Sequence, residues 1–360
     1  MRVLHLRSSR GIFGAENVIL QLAGECQRRF PVAVGALRDA REPHLELLDR
    51  ASAAGLETHA IDCAGRVDPR TVARVARLCR GGRWDVLHVH DYKTILYGIP
   101  AARLGGARLV VTLHGDTKEN ASVTRYEQAS FQALRLAHKV ATVSQEIFLR
   151  VRALVPDKAV WVPNGIDTEA LRRRVTPGRD LRAELGVPAD HTLAIAVGRL
   201  SVEKAHTTLL EAAARVPRLF VAIAGSGPLE GELRGKIDAL GLAARAQLLG
   251  GRDDVADLYA SADIFVHPSL REGLPLAILE AAALAAPTIA SAVGEIPAVL
   301  EGCAVALPPP GDVVALADAL ARATYDPAGA RSLGQKARAR VDARYSAAAM
   351  ATRYIDEVYA

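Results

Sequence analysis

The sequence has little of what builds disulfide-stapled, zinc-bound or nucleic-acid-binding proteins. Its four cysteines form no CxxC pair and no cluster with histidine, which argues against a disulfide framework and a structural zinc site. Aromatic residues make up only 4% of the chain, so nucleic-acid bases would find few rings to stack on. These shortages predict a protein of a reducing compartment with no nucleic-acid partner.

Long apolar runs are also missing. The longest, Leu274 to Val293, carries Glu280 in its middle, and a carboxylate at membrane depth would be costly. The first apolar stretch is interrupted by His5 and Arg7, which is typical of a buried strand rather than of a signal sequence. The sequence therefore predicts a cytoplasmic protein without a transmembrane helix.

What the sequence does contain is a repeated alternation of short aliphatic runs with amphipathic segments, over 360 residues of which 50% are hydrophobic. This alternation predicts βαβ units and parallel sheets, and the length favours two domains. The expected strands are Val3–Leu6, Val32–Leu37, Asp85–His88, Leu109–Leu113, Lys139–Val143 and Val160–Val162, then Leu193–Val197, Leu219–Ala224, Ala246–Leu249, Ile264–Val266, Thr288–Ala290 and Ala304–Ala306.

The best candidate for a linker is the charged segment Arg172–Arg179, which follows the turn Pro163–Asp167. We expect one domain over residues 1–170 and a second over residues 171–344. A last helix within residues 345–360 carries Met350, Tyr354 and Val358 at helical spacing, and we expect it to pack back on the first domain.

Charge is distributed unevenly along the chain. Residues 1–174 hold 27 Lys and Arg against 18 Asp and Glu, while residues 175–360 hold 18 against 22. Clustered cations raise the local concentration of anions, so the first half is suited to an anionic partner. The helix predicted over Thr71–Arg83 is basic on one side; a solvated face is the first interpretation, and contact with a membrane surface is the alternative.

In the second half, polar residues follow strands, at the sheet edge where open α/β sheets bind ligands. Gly198, Arg199 and Lys204 follow one strand, and two cations on such a loop could clamp a diphosphate. The alternative is surface pairing of these cations with Glu203 or Glu211. Gly225 and Gly227 follow the next strand, where backbone N–H groups could meet an anion or the edge of a base, although this spacing argues only weakly for a dinucleotide cofactor.

A pair of glutamates is the most informative feature. Glu272, with Gly273 and Leu274, precedes Pro275, which suits the first turn of a helix that carries Glu280. If both glutamates were helical they would be roughly 12 Å apart, beyond the roughly 5 to 9.5 Å between the carboxylates of a glycosidase. The spacing favours two grips on one elongated ligand, Glu280 on a diol such as a ribose and Glu272 on hydroxyls farther along. For Glu280 the alternative is a helix-surface charge.

Two further groups follow strands of the first half. Gly14 and Glu16 lie in and after a glycine-bearing turn that opens a helix, where glycines permit close approach to a ligand. His114 stands at the end of another strand, beside Gly115. A lone histidine is often structural, and its position at a strand end makes a functional role an equal alternative.

In this order these motifs resemble the retaining glycosyltransferases of family 4, whose GT-B fold has two Rossmann-like domains facing a cleft. Glu272-Gly273-Leu274-Pro275 and Glu280 are similar to the family's E-x7-E signature. The resemblance implies that the first domain faces the acceptor and the second binds a nucleotide-sugar.

It also implies roles for single residues. Arg199 and Lys204, in the loop that begins at Gly198, would hold the donor diphosphate, and Glu280 would bind the ribose. Glu272 and the backbone of Gly273 and Leu274 would grip the sugar, and Gly225 and Gly227 would belong to the substrate-binding residues. His114 would lie near the donor sugar and its leaving oxygen, and the turn at Gly14, followed by Glu16, would admit the diphosphate or the acceptor.

No Asp-x-Asp triplet occurs, so the divalent-metal clamp of other glycosyltransferases is not evident, and no cofactor is expected beyond the donor, a UDP- or GDP-sugar. The sequence departs from the family's pattern in three places. Ala205 and Ala286 stand where glycines are usual, and Glu295 stands where a second glycine often follows Gly294.

The resemblance implies sugar transfer to an acceptor hydroxyl with retention, and the basic first half favours a lipid-linked or anionic acceptor at the cytoplasmic membrane face, as in cell-surface polysaccharide or glycolipid assembly. The alternatives are a soluble small-molecule acceptor, a non-hydrolysing sugar-nucleotide epimerase and a non-catalytic sugar-nucleotide-binding protein.

Overall fold

A computed structural model describes residues 1–8, 11–12, 14–38, 45–64, 68–114 and 128–360. The chain divides into two compact units. The first comprises Met1–Gly165 together with Ala347–Ala360, and the second comprises Ile166–Ser346. Each unit has its own parallel sheet with its own apolar core.

The first unit is built on a seven-stranded sheet in the order β3-β2-β1-β4-β5-β6-β7, and every pairing in it is parallel. Both faces of the central strands are buried, as expected for Val- and Leu-rich runs in a parallel sheet. The strands are β1 (Val3–Arg7), β2 (Val32–Arg38), β3 (Glu57–Asp62), β4 (Val86–Val89), β5 (Arg108–Leu113), β6 (Lys139–Thr142) and β7 (Ala159–Trp161).

One strand of this sheet was not among those expected. β3 has the polar sequence ETHAID, and only Ile61 of it is buried. It lies at the edge of the sheet, paired on one side with β2, where a strand needs no continuous apolar run. The aliphatic pattern that identified the central strands is therefore absent here.

Three helices of the first unit follow a residue whose side chain accepts a hydrogen bond from the helix's first turn. Asp68 and Ser144 each accept a hydrogen bond from the first turn of the helix that follows, and Asp91 forms a capping box with Thr94. The helices are α1 (Gly14–Cys26), α2 (Glu46–Ala53), α3 (Pro69–Gly81), α4 (Tyr92–Gly105) and α5 (Gln145–Leu154), with a 3₁₀ turn at Leu134–Leu136.

The second unit has a five-stranded parallel sheet in the order β10-β9-β8-β11-β12. Its strands are β8 (Thr192–Val197), β9 (Leu219–Ala224), β10 (Ala246–Gly250), β11 (Ile264–His267) and β12 (Thr288–Ala290). The strand expected over Ala304–Ala306 is wrong: this stretch makes a single bridge, Ile289 to Ala306. Pro308, Pro309 and Pro310 follow it, and prolines without an N–H cannot extend a ladder.

Short helices connect these strands and cover the sheet. They are α6 (Thr168–Arg173), α7 (Leu181–Glu184), α8 (His206–Ala213), α9 (Glu230–Ala239), α10 (Val255–Ser261), α11 (Leu276–Ala283), α12 (Ile296–Val299), α13 (Val313–Tyr325) and α14 (Pro327–Arg344), with a 3₁₀ turn at Val202–Lys204. In the part of the chain that the structure describes, no helix combines the length and the apolar character needed to cross a membrane.

The C-terminal segment belongs to the first unit. It consists of α15 (Ala347–Arg353) and a π-helical turn, Tyr354–Val358. Tyr354 and Tyr359 are each 1% exposed, and their hydroxyls make hydrogen bonds to Thr112 (2.9 Å) and His88 (2.8 Å) on the sheet. The segment thus seals one face of the first sheet with apolar surface and two polar contacts.

Backbone conformation bears directly on one of the departures from the family's pattern. Ala205 has a φ of 49°, in the left-handed region that glycine adopts without strain and where an alanine costs roughly 1–2 kcal/mol. Ala285, which precedes Ala286, is also left-handed, with a φ of 59°.

Replacing Gly334 by alanine should destabilise the second unit, although alanine favours a helix. A Cβ at Gly334 of α14 would lie 2.2 Å from the carbonyl oxygen of Ala285, and overpacking of this kind costs about 1–3 kcal/mol. Gly235 of α9 is the matched control, since a Cβ there meets no atom within 4 Å, and its replacement should stabilise by about 0.5–1 kcal/mol. Urea denaturation measures both, and equal effects would contradict the packing.

Candidate functional site

The loop after β11 holds a buried, ionised carboxylate. Glu272 is 11% exposed, and its Oε1 accepts hydrogen bonds from Lys204 Nζ at 2.6 Å and His267 Nε2 at 2.9 Å. Burial would raise the pKa of Glu272, but the hydrogen bond and charge of His267, with those of Lys204, outweigh it and hold the pKa at about 2. The site therefore carries a fixed negative charge clamped between two donors.

Sequence reasoning selected Glu272 and Lys204 separately, and the structure brings them into one ion pair. Sequence reasoning did not select His267, the last residue of β11. The Nε2 of His267 also lies 3.2 Å from Ser269 Oγ. The available signal was its position at the carboxyl end of a strand, the same signal that pointed to His114.

Glu280 lies on α11 in a different environment. Its Oε2 accepts a hydrogen bond from the hydroxyl of Tyr259 at 3.0 Å. Burial raises the pKa of Glu280, and the Tyr259 hydrogen bond and the charge of Arg174 offset this only in part. Its Oε1 makes no hydrogen bond to the residues described, so one oxygen is left for a ligand. The side chain is half-buried rather than on a solvated helix surface.

The two cations after β8 differ in their partners. Lys204 pairs with Glu272, whereas the guanidinium of Arg199 is exposed and has no ion pair within the described ranges. Of the two alternative surface partners, Glu211 pairs with Lys236. Glu203 makes no ion pair with either cation within the described ranges, although hydrogen bonds from its own backbone and Ser201, and then the charge of Arg199, help to lower the pKa of Glu203. Arg199 is thus the cation whose hydrogen-bonding groups remain unused.

Two glycines of the second unit let the loops after β8 and β9 pack closely. A Cβ on Gly225, whose φ is +149°, would lie 1.9 Å from the Gly198 carbonyl oxygen, and one on Gly227 would lie 2.4 Å from that of Leu200. Packing of neighbouring loops alone thus requires both glycines, before any ligand is considered. It also fixes the backbone that carries Arg199.

The same holds beside Glu272. A Cβ on Gly294 would lie 2.3 Å from the Glu272 carbonyl oxygen, and the N–H of Glu295 donates to the Gly273 carbonyl at 2.9 Å. Glu295, which replaces the usual second glycine, is buried, as is Leu274. This contact holds the loop that presents the predicted sugar-binding backbone.

In the first unit the predicted residues are Gly14, Glu16 and His114. Glu16 is 1% exposed and accepts a hydrogen bond from Arg7 Nε at 2.7 Å, so its carboxylate is engaged within the protein. Gly14 begins α1, and a Cβ there would meet no atom within 4 Å. Ser9, Arg10 and Phe13 of the same turn, and Gly115 after His114, lie outside the described residues.

His114 is joined to two histidines that sequence reasoning missed. Its Nε2 lies 3.1 Å from His90 Nδ1, and His90 Nε2 lies 2.9 Å from His5 Nδ1. Burial, and then the charge of Arg7, lowers the pKa of His114 to about 3, so its ring is neutral at pH 7. Arg7 also donates to the His90 carbonyl at 2.6 Å. The available signal was that His90, like His114, directly follows a strand; His5 lies inside β1 and gave no such signal.

A partly overlapping set of histidines is the candidate metal site of the part of the chain that the structure describes. His5, His88 and His90 offer nitrogen atoms that lie within 4.8 Å of one another, and imidazole is a common zinc ligand. However, His88 already contacts Thr112 Oγ1 at 2.7 Å and the Tyr359 hydroxyl at 2.8 Å, and both nitrogens of His90 contact other histidines. The group is built as a hydrogen-bonded network.

Comparison with known proteins gives matches over both units. Residues 12–170 match the family model described as Glycosyltransferase Family 4, and residues 179–340 match that of Glycosyl transferases group 1. The chain is 31% identical over 289 residues to a D-inositol 3-phosphate glycosyltransferase of Mycobacterium avium, covering 74% of this chain and 67% of that enzyme.

A second curated protein and a solved structure are also similar to the chain. The UDP-Gal:alpha-D-GlcNAc-diphosphoundecaprenol alpha-1,3-galactosyltransferase of Escherichia coli is 31% identical over 240 residues, which span 62% of either chain. The crystal structure of HepE from Anabaena in complex with UDP superposes with a TM-score of 0.87 at 21% identity, over 100% of both chains. This likeness confirms the predicted GT-B fold.

The two matching family models and the relative from Mycobacterium avium show that the chain belongs to the family 4 glycosyltransferases, enzymes that transfer a glycosyl group.

Proposed function

We propose that this glycosyltransferase takes its sugar from a nucleotide-sugar, with UDP or GDP as the nucleotide, and transfers it without a divalent metal and with retention of configuration. The observation that carries the proposal is the pair of unlike glutamates in the second unit. Glu272 is ionised and clamped, and Glu280 has an oxygen left for a ligand. The UDP bound to HepE supports a uridine nucleotide.

In this proposal Arg199 and Lys204 hold the donor diphosphate. The ammonium of Lys204 has three N–H donors and gives one to Glu272, so two remain for phosphate oxygens. Arg199 offers its whole guanidinium fork, which suits bidentate contact with a phosphate. Glu280 accepts from the ribose hydroxyls, while Glu272 and the backbone of Gly273 and Leu274 hold the sugar.

The chemistry that follows is a single exchange of bonds. The acceptor oxygen bonds to the anomeric carbon on the face from which the diphosphate leaves, the bond to the phosphate oxygen breaks, and that oxygen takes the acceptor's proton. Negative charge builds on the departing diphosphate, and preorganised cations stabilise it. We assign His114 a place near the donor sugar and its leaving oxygen.

For the acceptor we propose a lipid-linked diphosphate or another anionic glycan of cell-surface polysaccharide or glycolipid assembly, met at the inner face of the membrane. The diphosphoundecaprenol in the name of the Escherichia coli relative supports it. So does the excess of arginine over aspartate in a groove at the carboxyl ends of β2 and β3, which is lined by Arg38, Arg70 and Arg74 together with Asp62 and Asp68. Arg38 and Arg74 contact Asp62 and Asp68, and Arg70 is exposed.

A soluble acceptor is the second candidate. The Mycobacterium avium relative is named for D-inositol 3-phosphate, which is small and also anionic. The same arginines would suit its phosphate, so an acceptor assay has to offer both a lipid-linked and a soluble acceptor.

Glu280→Ala should abolish stabilisation by the donor nucleotide. A ligand at 100 times its Kd stabilises a native protein by about 2.7 kcal/mol, and thermal melting with UDP-, GDP-, ADP- and dTDP-sugars would show which nucleotide does so. Glu301→Ala is the control, since Glu301 is 76% exposed and pairs with Arg340. An unchanged response of Glu280→Ala would contradict the ribose assignment.

Arg199→Ala should weaken binding of UDP at least about tenfold, because a hydrogen bond to a charged group contributes about 1.5–3 kcal/mol. Uridine should bind unchanged, and the melting temperature should stay near that of the wild type because Arg199 has no ion pair within the described ranges. Arg215→Ala, another exposed arginine of this unit, is the control in calorimetric titrations. Equal losses for UDP and uridine would refute the diphosphate contact.

Arg70→Ala should lower kcat/KM for the anionic acceptor about tenfold, and Arg77→Ala, an exposed arginine on the same helix but outside the groove, should not. The assay offers a polyprenyl-diphosphate-linked N-acetylglucosamine in anionic vesicles and, separately, D-inositol 3-phosphate.

NMR of the product should show the donor's anomeric configuration. Transfer only to the inositol phosphate would reject the lipid-linked acceptor, and an inverted product would reject retention.

A further inference from the structure

Three histidines in the first unit form one continuous chain of hydrogen bonds. His5 lies on β1, His90 directly after β4 and His114 directly after β5, so three neighbouring strands of the sheet each contribute one ring. The nitrogen separations are 2.9 Å from His5 Nδ1 to His90 Nε2 and 3.1 Å from His90 Nδ1 to His114 Nε2. Both lie within the hydrogen-bond range.

All three rings are neutral at pH 7. His5 is fully buried and His90 is 2% exposed, and burial lowers the pKa of His5 to about 3 and that of His90 well below its usual range. Arg7, which is the cation that contacts these rings among the residues described, lowers the pKa of His114 further and pairs with Glu16. A neutral imidazole has one N–H and one bare nitrogen.

Counting protons leaves only two arrangements. If His90 donates to His114, then His5 must donate to His90, and His114 carries its proton on Nδ1. If His90 donates to His5 instead, every proton moves to the other nitrogen of its ring. His5 then carries an N–H at Nε2, and His114 presents a bare Nδ1. The state of the deepest ring therefore fixes the state of the outermost one.

The environment of His5 decides between the two arrangements. Its Nε2 is buried and has no hydrogen-bond partner among the residues described. Buried N–H groups without a partner are rarer than bare acceptors, which favours an unprotonated Nε2. The leaving diphosphate of the proposed reaction gathers negative charge, which also favours an N–H donor on His114.

We propose that His5 and His90 are positioning residues that hold His114 as the Nδ1–H tautomer, so that it presents a hydrogen-bond donor to the sugar or the leaving oxygen. This inference rests on the proposed function for the role of His114, but the tautomer itself is a property of the protein without substrate. The two can therefore fail separately.

The first test is long-range ¹H–¹⁵N NMR of protein labelled with ¹⁵N-histidine, free of substrate, at pH 7. The chain has ten histidines, and single substitutions assign their signals. We expect the Nδ1–H tautomer for His5, His90 and His114. An Nε2–H tautomer or an imidazolium at His114 would overturn the proposal in the wild type, whatever the variants do.

The second test breaks the chain at its buried end. In His5→Leu, His90 loses its donor, so His114 should show a mixture of tautomers. His5→Asn places an amide N–H near the lost Nδ1 and should restore one tautomer. His138→Leu, at an exposed histidine of the same unit, controls for the loss of a histidine. An unchanged His114 tautomer in a folded His5→Leu protein would refute the coupling.

The third readout links the tautomer to the reaction. With the donor identified by melting and an active acceptor, His5→Leu should lower kcat at least about tenfold and leave the KM for the donor unchanged, because a wrong tautomer fails in the transition state. His5→Asn should recover most of the rate. A confirmed tautomer with an unaffected kcat would keep the structural inference and reject the role of His114 in the reaction.

Discussion

The ion pair between Glu272 and Lys204 is the contact on which the candidate donor site depends. It joins the loop after β11 to the loop after β8, and the Leu270 N–H donates to the Glu203 carbonyl at 2.8 Å between the same loops. Without it Glu272 would be a buried charge held by His267 alone, and breaking a buried pair is far more costly than losing an exposed one. The loops are therefore fixed before a ligand arrives.

The two glutamates differ in how far their charge is compensated within the protein. Two partners lower the pKa of Glu272, and burial with only one neutral hydrogen-bond donor raises that of Glu280. A carboxylate that is poorly compensated within the protein gains most from hydroxyl donors on a ligand. On the proposed function, Glu272 holds two loops together as well as binding the sugar. The free energy of donor binding then depends more on Glu280.

The sequence predicted the fold class because central strands of a parallel sheet are continuous aliphatic runs, and it missed β3 because an edge strand can be polar. It also identified most side chains of the candidate site that follow strands, since strand ends can be read from the same runs. It could not predict which of these side chains meet. Glu272 and Lys204 are far apart along the chain, and so are His5, His90 and His114, so only the strand order brings them together. Gly225 and Gly227 were expected for a ligand, and the packing of neighbouring loops already requires them.

The two units handle electrostatics in opposite ways. The second presents unpaired or shared cations, Arg199 and Lys204, which suit a diphosphate. At its strand ends the first presents neutral rings, and its Arg7 is already paired with the buried Glu16. A neutral imidazole can donate a hydrogen bond without adding charge, and this is the role proposed for His114 toward a leaving oxygen. That role requires a fixed direction of donation, because an imidazole that turned its bare nitrogen to an oxygen would repel it. Burying the polar rings of His5 and His90 in a hydrophobic core is costly. Holding His114 in one direction of donation is a physical reason for the sequence to keep both histidines.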